Sequence, residues 1–197
     1  MMTPIDRAKY LDAEEVRRLR TVVEAWAIQD LRYGRLQGVQ TWMIVDLALQ
    51  TGLRVSELAR LRIEDIDCKR GALKVMRVKK ERSRPETLAI SEQLLRHLKG
   101  YIAWTGRKKG PLLVGKRGPM TARGLQQAWL KATEKAGLKG MSIHTARHSM
   151  AVHLLKKTGN LRQVQKQLGH SSPATTANMY ADISFADMQE GLEGLYD

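Results

Sequence analysis

Two arginines, two histidines and a tyrosine stand in an order suited to work on a phosphodiester. Arg54 closes the string Thr51-Gly52-Leu53-Arg54, His144 and Arg147 bound His144-Thr145-Ala146-Arg147, His170 lies in Leu168-Gly169-His170-Ser171, and Tyr180 follows Ser171 by nine residues. A phosphodiester under attack by a hydroxyl gathers negative charge on its non-bridging oxygens. A guanidinium stays ionised and offers a planar fork to two oxygens, so Arg54 and Arg147 can clamp one phosphate from two sides. His144 and His170 can each donate to a phosphate oxygen or exchange a proton with the attacking hydroxyl, because imidazole titrates near neutrality. A tyrosine held in line and relieved of its proton can form a covalent phosphotyrosine that stores the bond energy. Tyr180 fits that role by its place in the order, although spacing alone leaves it, like Tyr33 and Tyr101, open as a core aromatic. The departing 5′ oxygen needs an acid, and a lysine on a β-hairpin supplies one, here Lys79 or Lys80.

The elements that must position these groups are legible in outline. Asp12 and Glu15 form a capping box that starts a helix running from about Ala13 to Trp26, with Gly34 and Gly38 closing the connection after it. Trp42, Val45, Leu47, Ala48 and Leu49 mark a largely buried helix that ends at Gly52, which leaves Arg54 in a turn. A short helix from Val55 to about Leu61 follows, and Glu57 near its start can steady Arg54 or cap backbone N–H groups. Leu73 to Val78 and Thr87 to Ile90 predict a β-hairpin with Lys79 to Arg84 at its tip, and Pro85 marks the returning strand as irregular or at an edge. Ser91 and Thr121 cap further helices, and Thr105 to Pro111 is a solvated basic loop. A helix from Thr145 to about Thr158 places His144 and Arg147 at an N-terminus that favours an anion. Leu161 to Leu168 forms the next helix, stopped by Gly169. Pro173 starts a further helix at about Ala174 carrying Tyr180, and Phe185, Met188, Leu192 and Leu195 form a short amphipathic segment. His148 is expected to face the core, and His97 and His153 to be ordinary helix residues.

These strings, their order and the lysine-bearing hairpin resemble the catalytic domain of tyrosine recombinases, the phage integrase family, from about Tyr10 to Tyr180. The resemblance implies a mainly α fold with a small antiparallel β-sheet (α+β). It implies site-specific DNA cleavage and rejoining through a 3′-phosphotyrosine on Tyr180, with Arg54, Lys79, His144, Arg147 and His170 as the other catalytic groups and Glu57 in support. In many family members the hairpin reads Lys-x-x-Lys/Arg-x-Arg, which Lys79, Arg82 and Arg84 reproduce. No glycine follows the lysine, however, and extra residues precede the second strand, so Lys80 stays open as the acid. The resemblance requires no cofactor and no metal. Its partner is double-stranded DNA, on which the protein is expected as a homo-oligomer, a tetramer in the synaptic complex and a monomer in solution.

Residues 1–197 are expected to form one catalytic domain without a core-binding or arm-binding domain. That would make the chain either an excised fragment or a short form resembling the fimbrial-switch invertases. Two other functions use similar residues: relaxation of supercoils by a type IB topoisomerase, and DNA binding by a non-catalytic regulator with the same fold.

Composition agrees with a polyanionic partner. Lys and Arg number 34 against 20 Asp and Glu, a net charge of +14, and the basic residues are dispersed among apolar periodic segments as on a folded cationic surface. A structural RNA binder would share that charge. With 43% hydrophobic residues the chain can bury one sizeable core. The lone Cys68 can form neither an internal disulfide nor a zinc site, and it reads as a half-buried small apolar residue. The chain has no Gly-x-x-x-x-Gly-Lys-Ser/Thr loop, no stretch as long as a membrane span and no signal-peptide pattern at Met1 to Asp6. A cytoplasmic, nucleoid-associated protein is the expectation.

Overall fold

The computed structural model of the chain describes residues 10–78, 83–115 and 117–169. Helices dominate these residues: α1 (Ala13–Arg32), α2 (Gln37–Thr51), the single turn α3 (Val55–Leu58), α4 (Glu92–Thr105), α5 (Ala122–Lys135), α6 (His144–Thr158) and α7 (Leu161–Leu168). Strands β1 (Ile66–Asp67), β2 (Ala72–Val78) and β3 (Ser83–Ala89) form an antiparallel sheet in that order, and β4 (Val114–Gly115) pairs with β5 (Gly118–Pro119). This is the mainly helical architecture with a small antiparallel sheet that the sequence predicts. The helix and segment expected beyond Gly169, and residues 79–82 of the expected hairpin tip Lys79 to Arg84, lie outside the described residues. Ser83 and Arg84 belong to β3, which starts before the expected Thr87 because it pairs with β2 as far as Val78.

The capping box forms as expected: Asp12 Oδ1 accepts from Glu15 N at 2.8 Å, and Glu15 Oε2 accepts from Asp12 N at 2.9 Å. α1 then continues past Trp26 to Arg32. Its buried face is extended by Ala27 and by Asp30, whose carboxylate accepts from Gly38 N at 2.6 Å. Gly38 therefore belongs to the first turn of α2 and not to the connection. A Cβ there would stand 2.7 Å from the Trp26 carbonyl oxygen, so glycine lets the two helices approach.

α2 is the central helix. Val39, Met43, Ile44, Val45, Leu47, Ala48 and Leu49 are all buried, so apolar residues surround it on most sides. Its one buried acid, Asp46, is satisfied by Arg20 at 3.2 Å, Gln50 at 2.8 Å and His97 at 2.7 Å, which gives His97 a definite partner where the sequence suggested none. Gly52 ends the helix at φ +62°, as predicted.

Below α3, the strand β2 buries Leu73, Val75 and Arg77 on one face and exposes Lys74 and Met76 on the other, the two-residue period of a pleated strand. Pro85 sits opposite Met76 on β3, at the sheet's edge, where a missing N–H costs no ladder bond. The caps at Ser91 and Thr121 form, to Leu94 N and Gly124 N at 3.1 Å each. α6 and α7 add a second apolar cluster of Met150, Ala151, Val164 and Leu168.

Two further expectations are corrected, and one open alternative is settled. α3 ends at Leu58 because Arg60 N and Leu61 N turn back to Glu57 and Leu58 carbonyls, closing tight turns instead of another α-helical one. Cys68 is exposed, at the turn between β1 and β2, since the basic residues Lys69 and Arg70 beside it keep that turn in solvent. Tyr33 is 67% exposed at the end of α1, whereas Tyr101 is a core aromatic at 2%.

Candidate active site

Arg54 stands at the N-cap of α3 in extended conformation, directly after the left-handed Gly52 and the buried Leu53. Glu57, one turn on and fully buried, holds it twice: Oε2 accepts from Arg54 N at 2.9 Å and Oε1 from Arg54 Nη1 at 3.1 Å. The Arg54 side chain remains 38% exposed. Its guanidinium is thus oriented from behind by a carboxylate while its outer edge faces solvent, an arrangement that suits an oxyanion approaching from outside.

Arg147, in the first turns of α6, is buried. It donates from Nη1 to the Gly52 carbonyl at 2.7 Å and from Nη2 to the Leu168 carbonyl at 2.9 Å. One guanidinium therefore ties the turn that precedes Arg54 to the C-terminal end of α7, satisfying carbonyls that a helix end leaves open. Glycine suits that joint, because the residue stands at φ +62° and a Cβ would displace the end of the Met150 side chain and stand 3.2 Å from Leu168 Cδ2.

His144 is the first residue of α6 and is exposed, three residues before Arg147 on the same helix. The helix start is less open to an anion than expected. Thr145 N and Ala146 N already donate to Ser142 O and Ile143 O, at 2.9 and 3.2 Å. The exposed His144, and not the helix end, is then what this region offers to an anion in solvent, with Arg147 buried behind it. His148 is half-buried, in line with a core-facing residue.

The fold thus joins the Arg54 turn, the Arg147 helix and the end of α7 at one place. Lys79, Lys80, His170 and Tyr180 lie outside the described residues. Val78 and Ser83 pair in the register of β2 and β3, and the two lysines fall between them in the sequence. Among the described residues no three His, Cys, Asp or Glu side chains are grouped as metal ligands, and no helix is long and apolar enough to cross a membrane.

One member of the cluster was not found by sequence reasoning. Arg77 on β2 is 1% exposed and donates to Glu57 Oε2 at 3.0 Å, Glu86 Oε2 at 3.1 Å and the Gln167 carbonyl at 2.6 Å. The signal was there: Arg77 is in phase with Leu73 and Val75 on the face that the strand buries, an unusual place for a charge.

Residues 9–187 match the family model of the phage integrase family. The chain is 32% identical over 189 residues to the tyrosine recombinase XerA of Pyrococcus furiosus, covering 94% of this chain and 61% of that protein. It is 37% identical over 154 residues to the tyrosine recombinase XerC of Mycobacterium sp. (strain KMS), covering 75% of this chain and 50% of that protein. The chain therefore spans about half the length of these relatives or somewhat more. Among solved structures, the XerA recombinase superposes with a TM-score of 0.73 at 24% identity, over 92% of this chain and 61% of that one. The XerH site-specific recombinase bound to its difH substrate in a pre-cleavage complex gives a TM-score of 0.72 at 20% identity, over 100% of this chain and 56% of that one. These superpositions show a shared fold.

Proposed function

The chain belongs to the phage integrase family, and on that footing we propose that it is the catalytic domain of a site-specific DNA recombinase that breaks and rejoins strands through a 3′-phosphotyrosine on Tyr180. The observation that carries this reading is the junction at Arg54. A partly exposed guanidinium is fastened from behind by buried Glu57, and the turn that bears it is bonded through Gly52 to Arg147. Fixed donors of this kind stabilise charge that develops in a transition state without reorganising when it appears.

In this mechanism Arg54 and Arg147 hold the scissile phosphate and His144 and His170 donate to its oxygens or exchange the nucleophile's proton. Tyr180 attacks, and Lys79, or Lys80 in its place, protonates the departing 5′ oxygen. Rejoining is the same step reversed on a partner strand. The substrate is double-stranded DNA, met in the cytoplasm on the nucleoid by a +14 protein. The relatives' names support this substrate class: XerH is described on difH substrate and a lambda integrase tetramer on a Holliday junction. By the same support, the protein acts as a homo-oligomer on paired sites, a tetramer in the synaptic complex.

Arg54→Ala is the cleaner test of the clamp. Its side chain is half-solvated, whereas Arg147 also closes two buried carbonyls and its loss disturbs the fold. On a nicked suicide substrate, Arg54→Ala should lower single-turnover cleavage by about a hundredfold or more while the DNA Kd changes by less than about fivefold. Equal losses in binding and cleavage would make Arg54 an ordinary phosphate contact and remove the support for a recombinase.

A further inference from the structure

We propose that Arg77 is a positioning residue for strand cleavage, which fixes Arg54 through their shared partner Glu57 and fixes the end of α7 through the Gln167 carbonyl. The proposal deepens the recombinase reading and rests on it.

Arg77 occupies a strand position whose neighbours in phase, Leu73 and Val75, are buried apolar residues. An aliphatic side chain would satisfy the packing there, and a buried ion pair is by itself weak support for stability, because desolvation offsets the attraction. The chain places a guanidinium there instead and uses all three of its nitrogens. Nη1 goes to Glu57 on α3, Nε to Glu86 on β3 and Nη2 to the Gln167 carbonyl on α7. A planar fork with donors on three sides can set the mutual geometry of three elements, which neither lysine nor an apolar residue can do.

Two further contacts connect this fork to the candidate chemistry. Glu57 Oε2 receives both Arg77 Nη1 and Arg54 N, while Oε1 receives Arg54 Nη1. Arg77 therefore locks the carboxylate rotamer that orients the Arg54 guanidinium. At the other end, Gly169 leaves α7 at φ +65° against the guanidinium itself, and a Cβ there would lie 2.6 Å from Arg77 Nε. The next residue in the sequence is His170. Arg77 also lies two residues before Lys79 in the sequence.

The test is a kinetic cycle between Arg77 and Arg54. Arg77→Lys keeps the charge and removes the three-way fork. Glu86→Ala, a milder change at a 38% exposed side chain, removes only the β3 arm. Single-turnover cleavage of a nicked substrate should fall about tenfold in Arg77→Lys, with the DNA Kd within about threefold of the parent, and less in Glu86→Ala. In an Arg54→Lys background the same Arg77 substitution should cost clearly less, about threefold, because its route through Glu57 is already broken while the one through the Gln167 carbonyl remains. An equal cost in both backgrounds would overturn the proposal and leave Arg77 a packing residue. Should the parent protein form no covalent adduct, the recombinase reading fails, and hydrogen exchange then decides the role of Arg77 separately. Amides of residues 161–169 should exchange faster in Arg77→Lys while those of α1 stay unchanged, and unaltered exchange at residues 161–169 would reject the role.

Discussion

Glu57 accepts three hydrogen bonds from two arginines, and each of its oxygens is used. A carboxylate with no exposure survives in the core only because cations on both sides satisfy it. Tyr101 is the contrary case at this scale. Its hydroxyl is buried without a hydrogen-bond partner among the described residues, and burial raises its phenol above the ordinary 10.0, against a smaller opposing effect of Arg107. The folded state keeps that proton when the unfolded chain has lost it, so stability is intact below about pH 10 and declines as pH rises beyond it. Tyr101→Phe should raise stability in chemical denaturation by about 1 kcal/mol near neutrality, by removing an unsatisfied group, and should weaken the alkaline decline. A less stable Phe variant would mean that the hydroxyl has a partner. Arg54, His144 and Arg147 were singled out from their strings by residue type and order, and the structure joins the turn before Arg54 to Arg147 through the Gly52 carbonyl. Arg77 was not, since its charge suggested solvent although its phase in β2 pointed inward.

At the scale of elements, α7 depends on its cap. Asn160 Oδ1 accepts from Arg162 N at 3.1 Å and Gln163 N at 3.2 Å, and the helix is only eight residues long, so it has little intrinsic stability. Asn160→Ala should cost about 1 kcal/mol. Because the Gln167 and Leu168 carbonyls meet Arg77 and Arg147, it should slow cleavage more than it weakens DNA binding. Thermal denaturation beside single-turnover cleavage checks both, and a stability loss with unchanged cleavage would separate α7 from the site. Helix starts were readable because Asp12, Ser91 and Thr121 carry cap chemistry in their side chains. The end of α1 was not. Past Trp26 the buried positions are Ala27 and Asp30, while Ile28 and Leu31 are half exposed, so hydrophobic periodicity points to the wrong face there. The helix stops after Arg32, where the amides of Tyr33, Gly34 and Arg35 turn back to the Asp30 and Leu31 carbonyls and Gly34 takes φ +61°.

For the whole molecule, a net charge of +14 predicts binding governed by counterion release, with log Kd changing with log salt by about 0.9 per phosphate neutralised. Titrating a labelled duplex across a salt series checks this, and affinity insensitive to salt would argue against a cationic DNA face. Charge, however, was never specific, since an RNA binder would share it. The mainly helical fold with its small sheet was legible because capping residues, glycine stops and strand alternation agree along most of the chain. The central claim is the covalent step, and trapping it is the most direct measurement. Incubating the protein with a nicked duplex carrying its site, digesting the denaturation-resistant complex and mapping the DNA-linked peptide by mass spectrometry should place a 3′-phosphate ester on Tyr180, and Tyr180→Phe should bind the duplex and yield no adduct. An adduct that persists in Tyr180→Phe, or one mapped to another residue, would contradict the account.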